Sequence, residues 1–350
     1  MDGISLKKKE FYPINKDLRL YLVKHNREVE VPIMYSTLLE FSDSMAVYDK
    51  DGKDTLWESV VYDQSRMIEI HTALKKIYST IKSDGSMKLT NHLSVDRIDY
   101  CTFGNSRPFR IRIINNYNDN YDYYYIKIAD ASRIYGLELE DILAPNRINY
   151  IVNKNTIIEE HIAGIPGDMF LDSYIDQEGH NKIRLAKEFI KFNERCFVKL
   201  LGDMRSYNFV IDVTQDFDDV QYRVRAIDFD QQCYEGNLKL YLSQFFKENQ
   251  RYVKMCTDAI NITTAEQYQQ EERALMNKRI QSDSIRLDEL LNLMEQDKIS
   301  KRKKVKSLRE ELAEYYNENA FLNCESMGAI VRQSLKMILQ KNKVHKPINE

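Results

Sequence analysis

The sequence predicts an α+β protein in which a region of antiparallel strands precedes a mainly helical region. Three segments between residues 94 and 129 are rich in β-branched and aromatic residues and are separated by the turn-forming sequences GNSR and NDN, a pattern typical of an antiparallel meander. The second half has no proline between Pro166 and Pro347, and residues 237–327 contain neither glycine nor proline. Because these two residues interrupt helices most often, that stretch is expected to be largely helical.

The composition is that of an ordinary globular protein with few glycines and prolines. Of 350 residues, 43% are hydrophobic and 30% are charged, and the formal net charge is −3. This balance argues against a dedicated nucleic-acid binder, which would usually be basic. The counts of 11 glycines and 6 prolines exclude collagen-like and linker-rich classes.

The sequence predicts a cytoplasmic protein without a membrane span. No stretch approaches the ~20 apolar residues that cross a bilayer. The basic N-terminal segment is not followed by the apolar run of a secretory signal. The five cysteines are scattered, with no CxxC pair and no zinc-binding spacing, so we expect free thiols in a reducing compartment.

The first half is expected to contain two helices and five strands. Apolar residues at helical spacing predict a helix over 66–83, and the meander follows. A second helix over 132–143 is stopped by Pro145, and the segments INYIV and TIIEEHI after it are predicted to be strands. AGIPGD (163–168) is the strongest turn signal of the chain and a candidate joint between lobes.

The second half is expected to begin with an amphipathic helix and a β-hairpin. Residues 182–201 place apolar side chains on one helical face, and the segments NFVIDV and YRVRAIDF, joined by TQDFDD, predict the hairpin. We therefore expect three domains: an N-terminal extension of mixed structure (1–90), a strand-rich small lobe (91–165) and a helical large lobe with long C-terminal helices (166–350).

A cluster of oxygen-bearing side chains lies around this hairpin. Asp203 and Asn208 come directly after the helix, and Asp228 and Asp230 come at the end of the second strand. A carboxylate and an amide suit Mg²⁺ beside nucleotide phosphates, while a separate carboxylate orients an attacking hydroxyl. Asp203 suits the hydroxyl-facing role, and Asn208 and Asp228 suit the metal. Asp230 is either a second metal contact or a strand-end residue. Asp and Asn are also common in turns, so an ordinary helix-to-strand turn without a catalytic role is the alternative interpretation.

In these segments the chain resembles the protein kinase-like superfamily, and within it the aminoglycoside phosphotransferase and choline kinase-like branch. LGDMRSYN (201–208) stands where that branch has H-G-D-x-x-x-x-N, and IDFD (227–230) matches its metal-binding segment I-D-[FW]-[DEG]. The resemblance covers about residues 94–260. It implies a bilobal kinase-like fold, with an antiparallel-sheet small lobe and a mainly helical large lobe, and ATP and Mg²⁺ as cofactors.

The resemblance also implies nucleotide contacts further upstream. Lys127, in the third meander strand, stands where the family has a lysine that holds the donor phosphates. Glu138 of the following helix is its favoured partner, with Glu140 as the alternative. The segment around Glu160 and Ile162 resembles the hinge strand whose backbone hydrogen-bonds the adenine.

Three features depart from the family pattern. The phosphate-binding loop, which is glycine-rich in the family, keeps only Gly104. The histidine of the catalytic loop is replaced by Leu201. Arg205 stands where small residues are more usual, and we expect it to contact phosphate or to steer an anionic substrate.

The expected function is transfer of the γ-phosphate of ATP to a hydroxyl of a small-molecule or protein acceptor. The scarcity of glycine leaves open a pseudokinase that senses nucleotide or binds proteins, with the C-terminal helices as its contact surface. Transfer of AMP on a kinase-like fold is a third alternative.

Overall fold

The computed structural model describes residues 9–82, 91–177, 180–216 and 219–339. Within these ranges the chain forms two compact units. The first, called the sheet unit, takes its described residues from Pro13–Ala131 and Ile148–His161. The second, called the helical unit, takes them from Met1–Tyr12, Ser132–Arg147 and Ile162–Glu350.

The sheet unit is built on a seven-stranded sheet in which all strand pairs are antiparallel. Its order is β1-β2-β3-β4-β5-β7-β6. The strands are β1 Asp43–Tyr48, β2 Asp54–Val61, β3 Leu93–Cys101, β4 Phe109–Asn115, β5 Tyr121–Ile128, β6 Tyr150–Asn153 and β7 Thr156–Glu160. The helices are α1 Lys16–Lys24, α2 Tyr35–Leu38 and α3 Gln64–Lys82.

Helix α3 shares one hydrophobic core with one face of this sheet. Successive strand residues point to opposite faces, and the buried Ile111 of β4 and Tyr124 of β5 are paired across the sheet. They belong to the same core as Leu74 of α3, and the Tyr124 hydroxyl donates to the Leu74 carbonyl at 2.9 Å. The alternate residues of β5, including Lys127, therefore lie on the opposite face.

The helical unit contains a three-stranded antiparallel sheet of order β10-β9-β8. The strands are β8 Ile165–Pro166, β9 Phe209–Asp216 and β10 Asp219–Ala226. The helices are α4 Ala131–Leu143, α5 Gly167–Ser173, α6 Lys182–Val198, α7 Gln250–Ala259, α8 Ile262–Ser282, α9 Ser284–Gln296, α10 Arg302–Tyr316 and α11 Met327–Leu339. Among the helices in the described ranges, none is long and apolar enough to cross a bilayer.

The predicted α+β class is confirmed, with an antiparallel sheet in one unit and mainly helices in the other. The meander is β3–β5, the helices predicted over 66–83, 132–143 and 182–201 are α3, α4 and α6, and the hairpin is β9–β10. Residue 83 of the first predicted helix and residues 217 and 218 of the hairpin loop lie outside the described residues.

The chain groups into two compact units, and the three domains expected from the sequence stay a prediction. Strands β1 and β2, both before residue 90, extend the meander sheet, since β2 pairs with β3. Helix α4, expected in the small lobe, belongs to the helical unit apart from its first residue. The pairing of β2 with β3 joins segments that are distant in sequence, and no local pattern encodes such a pairing.

The AGIPGD segment is more regular than the turn that its composition predicts. Ile165 and Pro166 pair with Ile211 and Val210 of β9, and α5 begins at Gly167. A Cβ atom at Gly167 would lie 2.4 Å from the Ser206 carbonyl oxygen. This glycine therefore serves close packing against the 206–208 segment.

Gly328 allows α11 to approach the backbone of α9. Adding the single methyl group of alanine at this position should therefore have a large effect on stability. A Cβ atom there would lie 2.1 Å from the Met294 carbonyl carbon. We expect Gly328→Ala to lower the free energy of unfolding by about 1–3 kcal/mol, measured by urea denaturation, because backbone must move.

The matched control is Gly136→Ala, another helical glycine, whose Cβ would meet side-chain carbons of Phe229 and Gln232 at 3.1 Å. Both variants gain helix propensity equally, so a smaller loss is expected for the control. Equal stability of the wild type and Gly328→Ala would contradict the assigned packing.

Candidate functional site

The loop after α6 holds Asp203 in a backbone conformation that few side chains adopt. Asp203 has φ 59° and Leu200 has φ 55°, both in the left-handed region, which Asp tolerates better than bulky residues. The Asp203 N–H donates to the Leu240 carbonyl at 2.9 Å, and the Gly202 N–H donates to the Gln231 carbonyl at 3.2 Å. These bonds fix the loop on two sides.

Asn208 closes the loop back onto Asp203. Its Nδ2 donates to the Asp203 carbonyl at 2.8 Å, and a short 3₁₀ turn, Ser206–Asn208, lies between them. The Asn208 carbonyl accepts the N–H of Ile227 at 3.0 Å. Since Ile227 directly precedes Asp228, the LGDMRSYN and IDFD segments lie side by side.

Arg133, from the first turn of α4, lies against both carboxylates of the IDFD segment. Its Nη2 donates to Asp228 Oδ1 at 2.7 Å and its Nε donates to Asp230 Oδ1 at 2.8 Å. The Asp230 N–H also donates to Asp228 Oδ1, at 3.1 Å. The Arg133 side chain is 2% exposed and that of Asp228 is 32% exposed. Asp228 is therefore the more accessible carboxylate of this segment.

A second arginine holds Asp203. Arg205 Nε donates to Asp203 Oδ1 at 2.8 Å, and its Nη1 donates to Glu248 Oε1 at 3.0 Å. Burial raises the pKa of Asp203 to about 6, Arg205 opposes this rise, and the negative charge of Asp228 adds to it. The carboxylates of Asp203 and Asp228 therefore interact electrostatically.

The sheet unit gives Lys127 a buried partner other than the one implied by the family pattern. Its Nζ lies 2.9 Å from Glu159 Oε2. Glu159 is on β7, where its neighbour in the ladder is Tyr125, two residues before Lys127 on the same face. In the helical unit, Glu138 Oε2 accepts from Arg286 Nη2 at 2.7 Å. These two contacts differ from the pairing of Lys127 with Glu138 that the resemblance implies, and that pairing stays a prediction.

The remaining predicted nucleotide contacts are placed as follows. The Glu160 N–H donates to the Asn149 carbonyl at 3.0 Å, and its Oε1 accepts the Asn149 N–H at 2.7 Å. Ile162 is buried in the helical unit. Gly104 has φ 90° in the loop between β3 and β4, and among the described residues other than its chain neighbours no atom lies within 4 Å of a Cβ built there.

Sequence reasoning missed Arg133 and Glu248 as members of the site. Arg133 precedes its two carboxylate partners by 95 and 97 residues. Its position in an amphipathic helix carries no motif. A surplus of acidic residues at the predicted site, which calls for a buried cation, is the one signal that pointed towards such a residue.

Asn208 and Asp228 are oxygen ligands of the kinds that magnesium takes when phosphate and water supply the others. Within the part of the chain that the structure describes, no group of three or more His, Cys, Asp or Glu side chains can hold a metal. Mg²⁺ needs few protein ligands when a nucleotide supplies the others. Asn208 and Asp228 offer an amide and a partly exposed carboxylate, whereas the Asp230 carboxylate is buried against Arg133.

Comparisons with known proteins give little beyond this geometry. No protein-family model matches the chain, and no curated protein matches it. A solved structure described as "Titin kinase and its flanking domains" is similar with 12% sequence identity and a TM-score of 0.27, over 71% of this chain and 55% of that chain. The chain thus spans about half of that structure's length.

The raised pKa of Asp203 predicts that this carboxyl destabilises the folded protein above pH 6. Its pKa rises from 3.8 to about 6 on folding, so the folded state binds the proton more tightly. Stability therefore falls as pH rises from about 4 to about 6. Asp203→Asn lacks this penalty and should gain about 1–3 kcal/mol at pH 8, measured by urea denaturation.

The gain should disappear at pH 4, where the wild-type carboxyl is protonated. Asp258→Asn, which changes an exposed carboxylate, is the control and should stay near the wild type at both pH values. An Asp203→Asn protein that is less stable than the wild type at pH 8 would disprove the assigned burial.

Proposed function

We propose that this chain is a kinase-like phosphotransferase that moves the γ-phosphate of ATP, bound with Mg²⁺, to a hydroxyl of a small-molecule or protein acceptor. The observation that carries the proposal lies in the helical unit. There a side-chain hydrogen bond joins Asn208 to Asp203 within one loop. A backbone hydrogen bond from Ile227 to Asn208 holds the segment of Asp228 beside that loop. The order of helix, loop, hairpin and acidic segment supports it.

Asp203 is the residue that would orient the acceptor hydroxyl and take its proton. A general base works best when its pKa lies near the operating pH. The Asp203 pKa of about 6 leaves most of the carboxyl ionised at neutral pH while keeping it more basic than an exposed aspartate. The hydrogen bonds from Asn208 and Arg205 hold its backbone and side chain in position.

Asn208 and Asp228 would hold the magnesium ion, which neutralises phosphate charge when it is bound. In the sheet unit, Lys127 would contact donor phosphates, helped by the loop that contains Gly104. The backbone of Glu160 and Ile162 would contact the adenine. These nucleotide contacts rest on the family pattern, and the buried pair of Lys127 with Glu159 is compatible with a lysine held in place.

The proposal predicts that ATP turnover depends on both carboxylates. Asp203→Asn and Asp228→Asn should each lower Mg²⁺-dependent ADP release by ~10²–10⁴-fold, because one loses the base and the other a metal ligand. The acidic limb of the wild-type pH–rate profile should lie near pH 6. Asp258→Asn is the matched control. Equal turnover by all four proteins would contradict the assignment.

The second candidate is a pseudokinase that senses nucleotide or binds proteins. The observation that favours it is the pairing of Asp203 with Arg205 and of Asp228 with Arg133, which neutralises charge that a catalytic site needs. In this case the C-terminal helices α10 and α11 are the proposed contact surface.

Thermal shift and isotope labelling separate these candidates. ATP with Mg²⁺ at 100 times Kd should stabilise a nucleotide binder by about 2.7 kcal/mol, whereas no shift at millimolar ATP contradicts both nucleotide-dependent functions. Label transfer from γ-labelled but not α-labelled ATP supports phosphotransfer. Transfer from α-labelled ATP alone would indicate AMP transfer instead.

A further inference from the structure

We infer that Arg133 is the resident cation of the Asp228–Asp230 carboxylate pair and prevents this pair from collecting a divalent metal ion without nucleotide. The inference rests on the proposed function, because that function makes Asp228 a metal ligand. Its subject is a specificity-determining residue on α4, outside both motifs of the site.

The guanidinium uses two different nitrogens for two carboxylates. Nη2 lies 2.7 Å from Asp228 Oδ1 and Nε lies 2.8 Å from Asp230 Oδ1. Charge-assisted bonds to a planar guanidinium are strong and directional, and arginine stays protonated at any accessible pH. Arg133 therefore supplies a permanent positive charge at the oxygens that a metal would need.

Helix packing fixes Arg133 in this place. The adjacent Ser132 hydroxyl donates to the Gln232 carbonyl at 2.6 Å. One turn further along α4, a Cβ at Gly136 would already lie 3.1 Å from Phe229 and Gln232 carbons. Because the first turn of α4 contacts the 229–232 segment so closely, Arg133 leaves the carboxylates only if its own rotamer changes inside a buried space.

A metal ion at Asp228 must therefore compete with a fixed guanidinium. The cation and Arg133 repel each other, and Asp228 Oδ1 already accepts two hydrogen bonds. A nucleotide changes this balance because its phosphates bring negative charge and further ligands. The arrangement makes metal binding conditional on nucleotide.

The test is a titration of the nucleotide-free full chain with Mn²⁺, in which electron paramagnetic resonance measures the concentration of free Mn²⁺. We expect at least tenfold tighter binding by Arg133→Gln than by the wild type, and loss of that gain in Arg133→Gln/Asp228→Asn. Arg133→Lys keeps the charge and should bind as weakly as the wild type. The matched control Arg286→Gln, which removes an arginine bound to Glu138 and Asp141 of the same helix, should leave Mn²⁺ affinity unchanged.

Equal Mn²⁺ affinity of folded Arg133→Gln and wild type would overturn the inference. Should Arg133→Gln fail to fold, the wild type decides: tight Mn²⁺ binding that Asp228→Asn abolishes overturns it, and weak binding that Asp228→Asn leaves unchanged supports it. This experiment measures metal affinity and not phosphate transfer. A protein that shows the expected Mn²⁺ response but has no phosphotransferase activity would therefore refute the proposed function and leave the inference about Arg133 standing.

Discussion

The pairing of buried charges along α4 is the constraint on which the helical unit depends. This helix carries Arg133, Glu138 and Glu140 into the interior, and each side chain is buried. Arg133 meets the acidic segment, Glu138 meets Arg286, and Glu140 contacts Lys199. A buried charge without a partner costs about 3–5 kcal/mol, so these pairs fix where α4 packs. They thereby also fix the side of the site that α4 forms.

Burial of charged groups also sets the chemistry of the loop, at a cost in stability. Burial raises the pKa of Asp203 and lowers that of Lys199, which lies four residues before it at the end of α6. Asp203 also adopts a left-handed backbone conformation. Strain and shifted pKa values collect where a protein keeps groups for function rather than for stability. In this chain, both occur in the loop that the motif identified.

Local patterns were enough to predict most helices and strands. The alternation in β3–β5 and the helical spacing in α3 follow from which face each residue buries, and both are written in short windows. The partner of a strand cannot be read from a short window, and for this reason the sequence did not predict that β1 and β2 belong to the same sheet. For the site, the sequence predicts that Asp203, Asn208 and Asp228 lie near one another because they directly follow or precede the strands of one predicted hairpin. The partners of Lys127 and Glu138 depend on contacts across 32 and 148 residues, and spacing alone cannot select them.

The two candidate functions differ in how one set of charges is balanced. The carboxylates of Asp203, Asp228, Asp230 and Glu248 carry four negative charges, and Arg133 and Arg205 supply two positive ones, so half of the negative charge is neutralised without any metal. The pairing at rest suits a binding module, whereas the remaining negative charge suits a bound cation. Under the proposed function, the cluster would also have to reorganise before it receives a nucleotide with its metal. Asp228, the most exposed of the three aspartate carboxylates, is where that reorganisation would begin. Under the proposed phosphotransfer, catalysis would therefore depend on whether the free energy of nucleotide binding exceeds the free energy of the Arg133 pair.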